Sequence, residues 1–156
     1  MTLDLTRIAL QTQRDLQQQS NIELPEIPED AYIVRKATAN QNFPANTNTG
    51  ILFPTVVLQN RITAFSNTQI VVPDTVFYAV TISMWWTGNP RVYYAWTQSG
   101  NTVDIGAIGE SDVQNCTVGS IHYFLASTPI SILANPTTTV LNNAVFGRPL
   151  LKVKKL

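Results

Sequence analysis

One cysteine and one histidine among 156 residues remove several chemistries at the outset. Cys116 has no second cysteine to pair with, so neither an intramolecular disulfide framework nor a multi-cysteine zinc site can be built. A lone His122 excludes a centre with two or three histidines and leaves a Ser-His-Asp triad a single candidate base, with no nucleophile motif beside it. Charge is scarce as well: Asp, Glu, Lys and Arg make up 13% of the chain, against roughly 25% in an ordinary soluble protein. Ten basic residues balance ten acidic ones. No global field therefore draws in nucleic-acid phosphates or an anionic membrane, and neither partner is expected. Long apolar runs are also missing. Nowhere do the ~18 consecutive apolar residues of a spanning helix occur, and the N-terminus lacks the basic start and apolar stretch of a signal peptide.

What replaces charge is neutral polarity. Asn, Thr, Gln and Ser fill much of the chain, and Thr with Asn suits short strands joined by tight turns better than helices. Hydrophobic residues at 44% suffice for a core, and this length accommodates one domain of ordinary size. The expected class is all-β.

Two regions differ in period. Across residues 2–20, Leu5, Ile8, Ala9, Thr12 and Leu16 recur at helical spacing while Arg7, Gln11, Arg14 and Gln18 point elsewhere, which predicts a helix with a narrow apolar stripe. A helix this short is marginal alone and needs a surface to pack on, either its own domain or a partner. Glu23-Leu24-Pro25-Glu26-Ile27-Pro28-Glu29-Asp30 follows; its two prolines block helix and favour a stiff, extended strap. Residues 39–50 are rich in Asn, Thr and Pro, a turn-forming composition that places a boundary between an arm, 1–49, and a domain, 50–156.

From residue 51 the period becomes two, as in strands with one buried face. The clearest strand covers 76–86, where Val76, Tyr78, Val80, Ile82, Met84 and Trp86 form one apolar face. Thr87-Gly88-Asn89-Pro90 then turns the chain into a second strand carrying Val92, Tyr94 and Trp96. Further strands are predicted at 102–108, 117–126, 130–134, 138–141 and 150–155. Short strands at this spacing argue for an antiparallel sandwich.

Against that pattern, the segment FSNTQIVVPDTVFY at 65–78 resembles the opening of the long central strand in tumour-necrosis-factor-like and complement-globular-head-like jelly rolls. Phe146-Gly147-Arg148-Pro149-Leu150-Leu151 resembles their closing strand, and Ser99-Gly100-Asn101 sits where those domains carry a hairpin turn. The resemblance spans about residues 50–156; it departs at Asp74-Thr75-Val76-Phe77, where the family has a glycine before the tyrosine. It implies an antiparallel jelly-roll β-sandwich, here with an N-terminal helix-containing extended arm, and a tight homotrimer. Family aromatics line the threefold axis, which carries over to Tyr78, Tyr94 and Phe124. In bacteriophages such domains serve as capsid decoration (cement) proteins, head fibres and receptor-binding knobs. A helix and proline strap ahead of the jelly roll look like a decoration protein's anchor, so the implied role is a virion structural protein on the outer capsid surface. Its arm would grip the major capsid protein through Leu5, Ile8, Leu16, Leu24 and Ile27. The alternative is a fibre knob that binds a receptor or glycan through Trp85 and Trp96.

No cofactor is expected, and the remaining polar residues have plain roles. Cys116 has no basic neighbour in sequence to lower its pKa, so it is expected to pack in the core. Asn115-Cys116-Thr117 matches a glycosylation sequon by composition alone. Asp104, Glu110 and Asp112 cluster without the spacing of a calcium loop and are expected to be solvated. Lys152, Lys154 and Lys155 around Leu151 and Val153 give a strand with a charged outer side. His122 is expected to be structural, and the chain is not expected to be an enzyme.

Overall fold

The computed structural model describes residues 4–20, 30–98, 101–102, 106–144 and 148–156, without the side chains of 16–20 and 101–102. The chain opens with helix α1 (Leu5–Ser20). Asp4 caps it: its carboxylate accepts a hydrogen bond from the Arg7 amide at 3.2 Å, satisfying one of the donors left over in a first helical turn. Strands follow as β1 (Tyr32–Lys36), β2 (Asn42–Phe43), β3 (Thr49–Gly50), β4 (Thr55–Asn60), β5 (Thr63–Ala64), β6 (Gln69–Val71) and β7 (Val76–Trp85). The second half carries β8 (Val92–Gln98), β9 (Asn101–Thr102), β10 (Gly109–Ser111), β11 (Asn115–Phe124), β12 (Ile130–Pro136), β13 (Val140–Leu141) and β14 (Leu150–Lys155).

Two antiparallel sheets face each other. The first runs β11-β7-β14-β1-β4; the second runs β10-β8-β12-β6-β5, with β3 also on β12 and β9 also on β8. Alternation dictates the core, as the sequence predicts for β7. Tyr78, Val80, Ile82 and Met84, with Trp86 just beyond the strand, are buried and meet Val92 and Tyr94 of β8, Phe124 of β11, Ile130 and Ile132 of β12, and Leu151 and Val153 of β14. Full burial of each such side chain contributes about 1.5–3 kcal/mol.

The expected boundary at 49/50 is wrong. β1 lies inside the first sheet, paired to β14 on one side and β4 on the other. β2 pairs with β13 and β3 with β12, while Ala31, Ile33 and Phe43 are fully buried. The sandwich therefore begins near residue 30. The asparagines that read as a linker are cross-links to the rest of the sandwich: Asn40 Oδ1 accepts from the Ala144 amide at 2.8 Å, and Asn48 Oδ1 accepts from Nδ2 of Asn135 in β12 at 2.8 Å. The strand predicted at 102–108 is also corrected, since β9 ends at Thr102, residues 103–105 lie outside the described ones, and 106–108 form a turn.

Arg35 of β1 points between the sheets and is 2% exposed. Its Nη1 donates to the Gln69 carbonyl at 2.9 Å, an oxygen that also receives the Phe65 amide at 3.0 Å and the Ser66 amide at 3.3 Å. One cation thus ties the first sheet to the turn that opens β6, and burial lowers its pKa.

Candidate assembly surface

The outward side of the first sheet carries large apolar side chains that the described residues leave exposed. On β7 and β11 the outward positions are those between the core residues, and the register sets Tyr123 opposite Phe77 and Ile121 opposite Ala79. Phe77 is 55% exposed, Ile121 58% and Tyr123 49%. The Phe77 and Tyr123 rings meet edge to face at 5.2 Å between centroids, a favoured arrangement for an aromatic pair. Leu156, also exposed, joins them, its amide donating to the Phe77 carbonyl at 3.1 Å. Lys154 lies opposite Ala79, and Lys152 opposite Thr81; both lysines are exposed. Farther along, Ser83 Oγ and Thr117 Oγ1 share a hydrogen bond at 3.0 Å, so the face grades from apolar to polar. The apolar end is where the arm joins, since the Ala31 carbonyl accepts from the Lys155 amide at 2.8 Å.

Tyr78, Tyr94 and Phe124, expected at a threefold axis, are instead all fully buried within one copy. The Tyr94 hydroxyl accepts from Trp86 Nε1 at 2.9 Å and lies 3.3 Å from Ser111 Oγ and 3.4 Å from Cys116 Sγ; burial pushes this phenol far above its usual pKa. Tyr78 donates to the Asp74 carbonyl at 2.8 Å and stacks on Phe124 at 5.8 Å. The reason is the two-residue period: side chains that build the core cannot also face a neighbouring copy, and the outward set is one residue away. Phe77, Ile121 and Tyr123 were missed, although an apolar residue on both sides of a strand is a readable signal of two buried faces.

The other named residues separate. Every described side chain from Asp4 to Asp15 is exposed, so Leu5 and Ile8 present their stripe to solvent. Leu16 lies in α1 with its side chain outside the description, and Leu24 and Ile27 lie outside the described residues. Trp85 and Trp96 do not form one surface: Trp85 is on the outward side of β7, whereas Trp96 packs edge-on against Phe124 at 4.9 Å. His122 sits 5.7 Å from the Trp96 ring, and burial lowers its pKa. Cys116 is buried. Asp104 lies outside the described residues, and among the described ones no three of His, Cys, Asp and Glu gather as metal ligands. No described helix is long and apolar enough to cross a membrane.

No protein-family model matches the chain, and no curated protein matches it. Solved structures do. Murine APRIL aligns over 82% of this chain and 100% of its own at a TM-score of 0.58 and 12% identity. Eiger TNF from S. frugiperda aligns over 81% and 91% at 0.50 and 12%. The PRD1 vertex protein P5 aligns over 81% and 96% at 0.49 and 12%. The fold is therefore a tumour-necrosis-factor-like jelly roll, as the motifs at 65–78 and 146–151 imply.

Proposed function

We propose that this chain is a virion structural protein, a homotrimeric capsid decoration protein whose arm binds the major capsid protein and stabilises the head. The observation that carries the reading is a capped, exposed amphipathic helix standing outside a complete sandwich. An apolar stripe that its own domain leaves uncovered is suited to another protein's groove. Leu5, Ile8 and Leu16 on the helix, with Leu24 and Ile27 on the strap, are the contacts proposed for the capsid. Self-assembly uses the outward side of the first sheet, where Phe77, Ile121 and Tyr123 form a contiguous apolar patch of the kind that marks an interface. Three arms on one knob multiply weak contacts through effective concentration. The function is mechanical rather than catalytic, and its site is the outer surface of the virion.

The test is removal of residues 1–29, which leaves every strand of the sandwich in place. The truncated protein is expected to keep its circular-dichroism spectrum and native mass and to lose co-sedimentation with undecorated heads. Truncated protein that still decorates heads like the full chain would overturn the role of the arm.

A further inference from the structure

The β4 edge of the first sheet is open and apolar. β4 pairs with β1 on one side; among the described residues no strand pairs with its other side, and the Ile62 amide on the Asn60 carbonyl is the one further backbone bond it makes. Folded proteins blunt such edges with charge, proline or shortness. The second sheet ends in β10 and β5, three and two residues long, and β11 belongs to the surface already assigned to self-assembly. β4 has six residues, and positions 37–60 hold no Asp, Glu, Lys or Arg. Its one irregularity is a bulge: Val34 faces Leu58 and Arg35 faces Val56, which leaves Val57 without a partner on β1. A bulge interrupts the ladder and re-aims side chains, and here Val56, Val57 and Leu58 are exposed in succession. Leu52 before the strand and Phe65 after β5 are exposed too; the Phe53 amide donates to the Asn67 carbonyl at 2.7 Å and draws their segments together.

We infer that this edge is a second, weaker contact between copies of the chain, in which the patch packs on the same patch of another copy across a twofold axis. The five side chains, between 37% and 62% exposed, leave on the order of 500 Å² of apolar surface per copy. Two copies therefore bring together about 1,000 Å², the lower limit for a specific interface. The charges at the two ends of the strand fix the orientation. Lys36 stands opposite Thr55 at one end, and Asp30, whose carbonyl accepts from Asn60 Nδ2 at 2.6 Å, lies at the other. A twofold axis through the middle of β4 sets the Lys36 end of each copy against the Asp30 end of its neighbour, whereas a parallel arrangement sets like charges together. Arg61, which follows the strand, has Asp74 at 3.2 Å. Apolar surface and charge are thus both self-complementary, which favours a second copy over an unrelated protein. A contact of this area forms among concentrated copies and is absent from dilute solution. β14 and β1 lie between this edge and the Phe77 surface, so the inference stands whatever number of copies that surface joins.

The experiment is sedimentation equilibrium of the full-length protein from about 10 μM to about 1 mM, a range that spans weak association. The average mass is expected to rise about twofold or more above that of the dilute species. Leu58→Lys, which places a charge on the edge of each copy, should hold the mass at the dilute value. Phe65→Lys should do the same, and it carries the test if Leu58→Lys fails to fold. Val113→Lys, at an exposed apolar residue between β10 and β11, should associate like the wild type. A wild-type mass that does not change with concentration, a rise that either folded edge variant leaves intact, or a rise abolished equally by Val113→Lys would each overturn the proposal. The size of the dilute species reports separately on the Phe77 surface.

Discussion

The Tyr94 hydroxyl holds Trp86, Ser111 and Cys116 around one oxygen in the interior, and this fixes what its removal does. Tyr94→Phe keeps the ring and its burial but leaves the Trp86 indole N–H without an acceptor, and an unsatisfied buried donor costs about 1–3 kcal/mol. Urea denaturation should show that loss in the midpoint with little change in slope, and the native mass should not move. A residue on the threefold axis would instead alter the native mass, and its effect on the midpoint would depend on protein concentration. The same reasoning separates Phe124, stacked on Tyr78 and edge-on to Trp96, from Tyr123 beside it, whose ring faces out.

At the scale of elements, the end of the sandwich next to the arm is tied by a charge cluster spanning three segments. Asp74, between β6 and β7, lies 2.9 Å from Lys155 Nζ of β14 and 3.2 Å from Arg61 between β4 and β5. The Lys155 hydrogen bond is the main cause holding the Asp74 pKa below its ordinary value; partial desolvation opposes it, and the charges of Arg61 and Lys155 add to the lowering. A depressed carboxylate pKa contributes stability in full above the unfolded value, about 3.9, and that contribution is lost as pH falls through the folded value. Thermal melts of the wild type and Asp74→Asn should therefore differ by a constant amount near neutrality, with the wild type higher, and converge below about pH 4. A gap that persists undiminished at about pH 3 would contradict this assignment.

The same scale shows what was legible in the sequence. β7 was readable because five alternate apolar residues leave one register, and β14 because Leu151 and Val153 alternate with lysines. β1 was not, because Tyr32–Lys36 is short, follows two prolines, and directs Arg35 inward where a pattern reading expects an apolar side chain. Its burial depends on a long-range bond to Gln69 that no local pattern encodes. The assembly surface was half legible: alternation separates Tyr78 from Phe77, but which set faces the opposite sheet is decided by tertiary packing. The Arg91–Glu110 ion pair was legible only as scattered charges, since the two residues meet through strand register.

For the whole molecule, the two sheets divide the surface by chemistry. One turns Phe77, Ile121 and Tyr123 outward near the arm, and the other turns Arg91, Tyr93 and Glu110 outward toward the opposite end. A chain with no net charge has little electrostatic repulsion to keep copies apart. The proposed arrangement covers the apolar side between copies, directs the arms toward the capsid and leaves the polar end in solvent. The most direct measurement is the native mass of the full-length protein by light scattering, alongside Phe77→Asp, which places a charge in the middle of the proposed interface. The account predicts three times 17.3 kDa for the wild type, and a folded species of 17.3 kDa for the variant. A monomeric wild type, or a trimer that Phe77→Asp leaves intact, would contradict it.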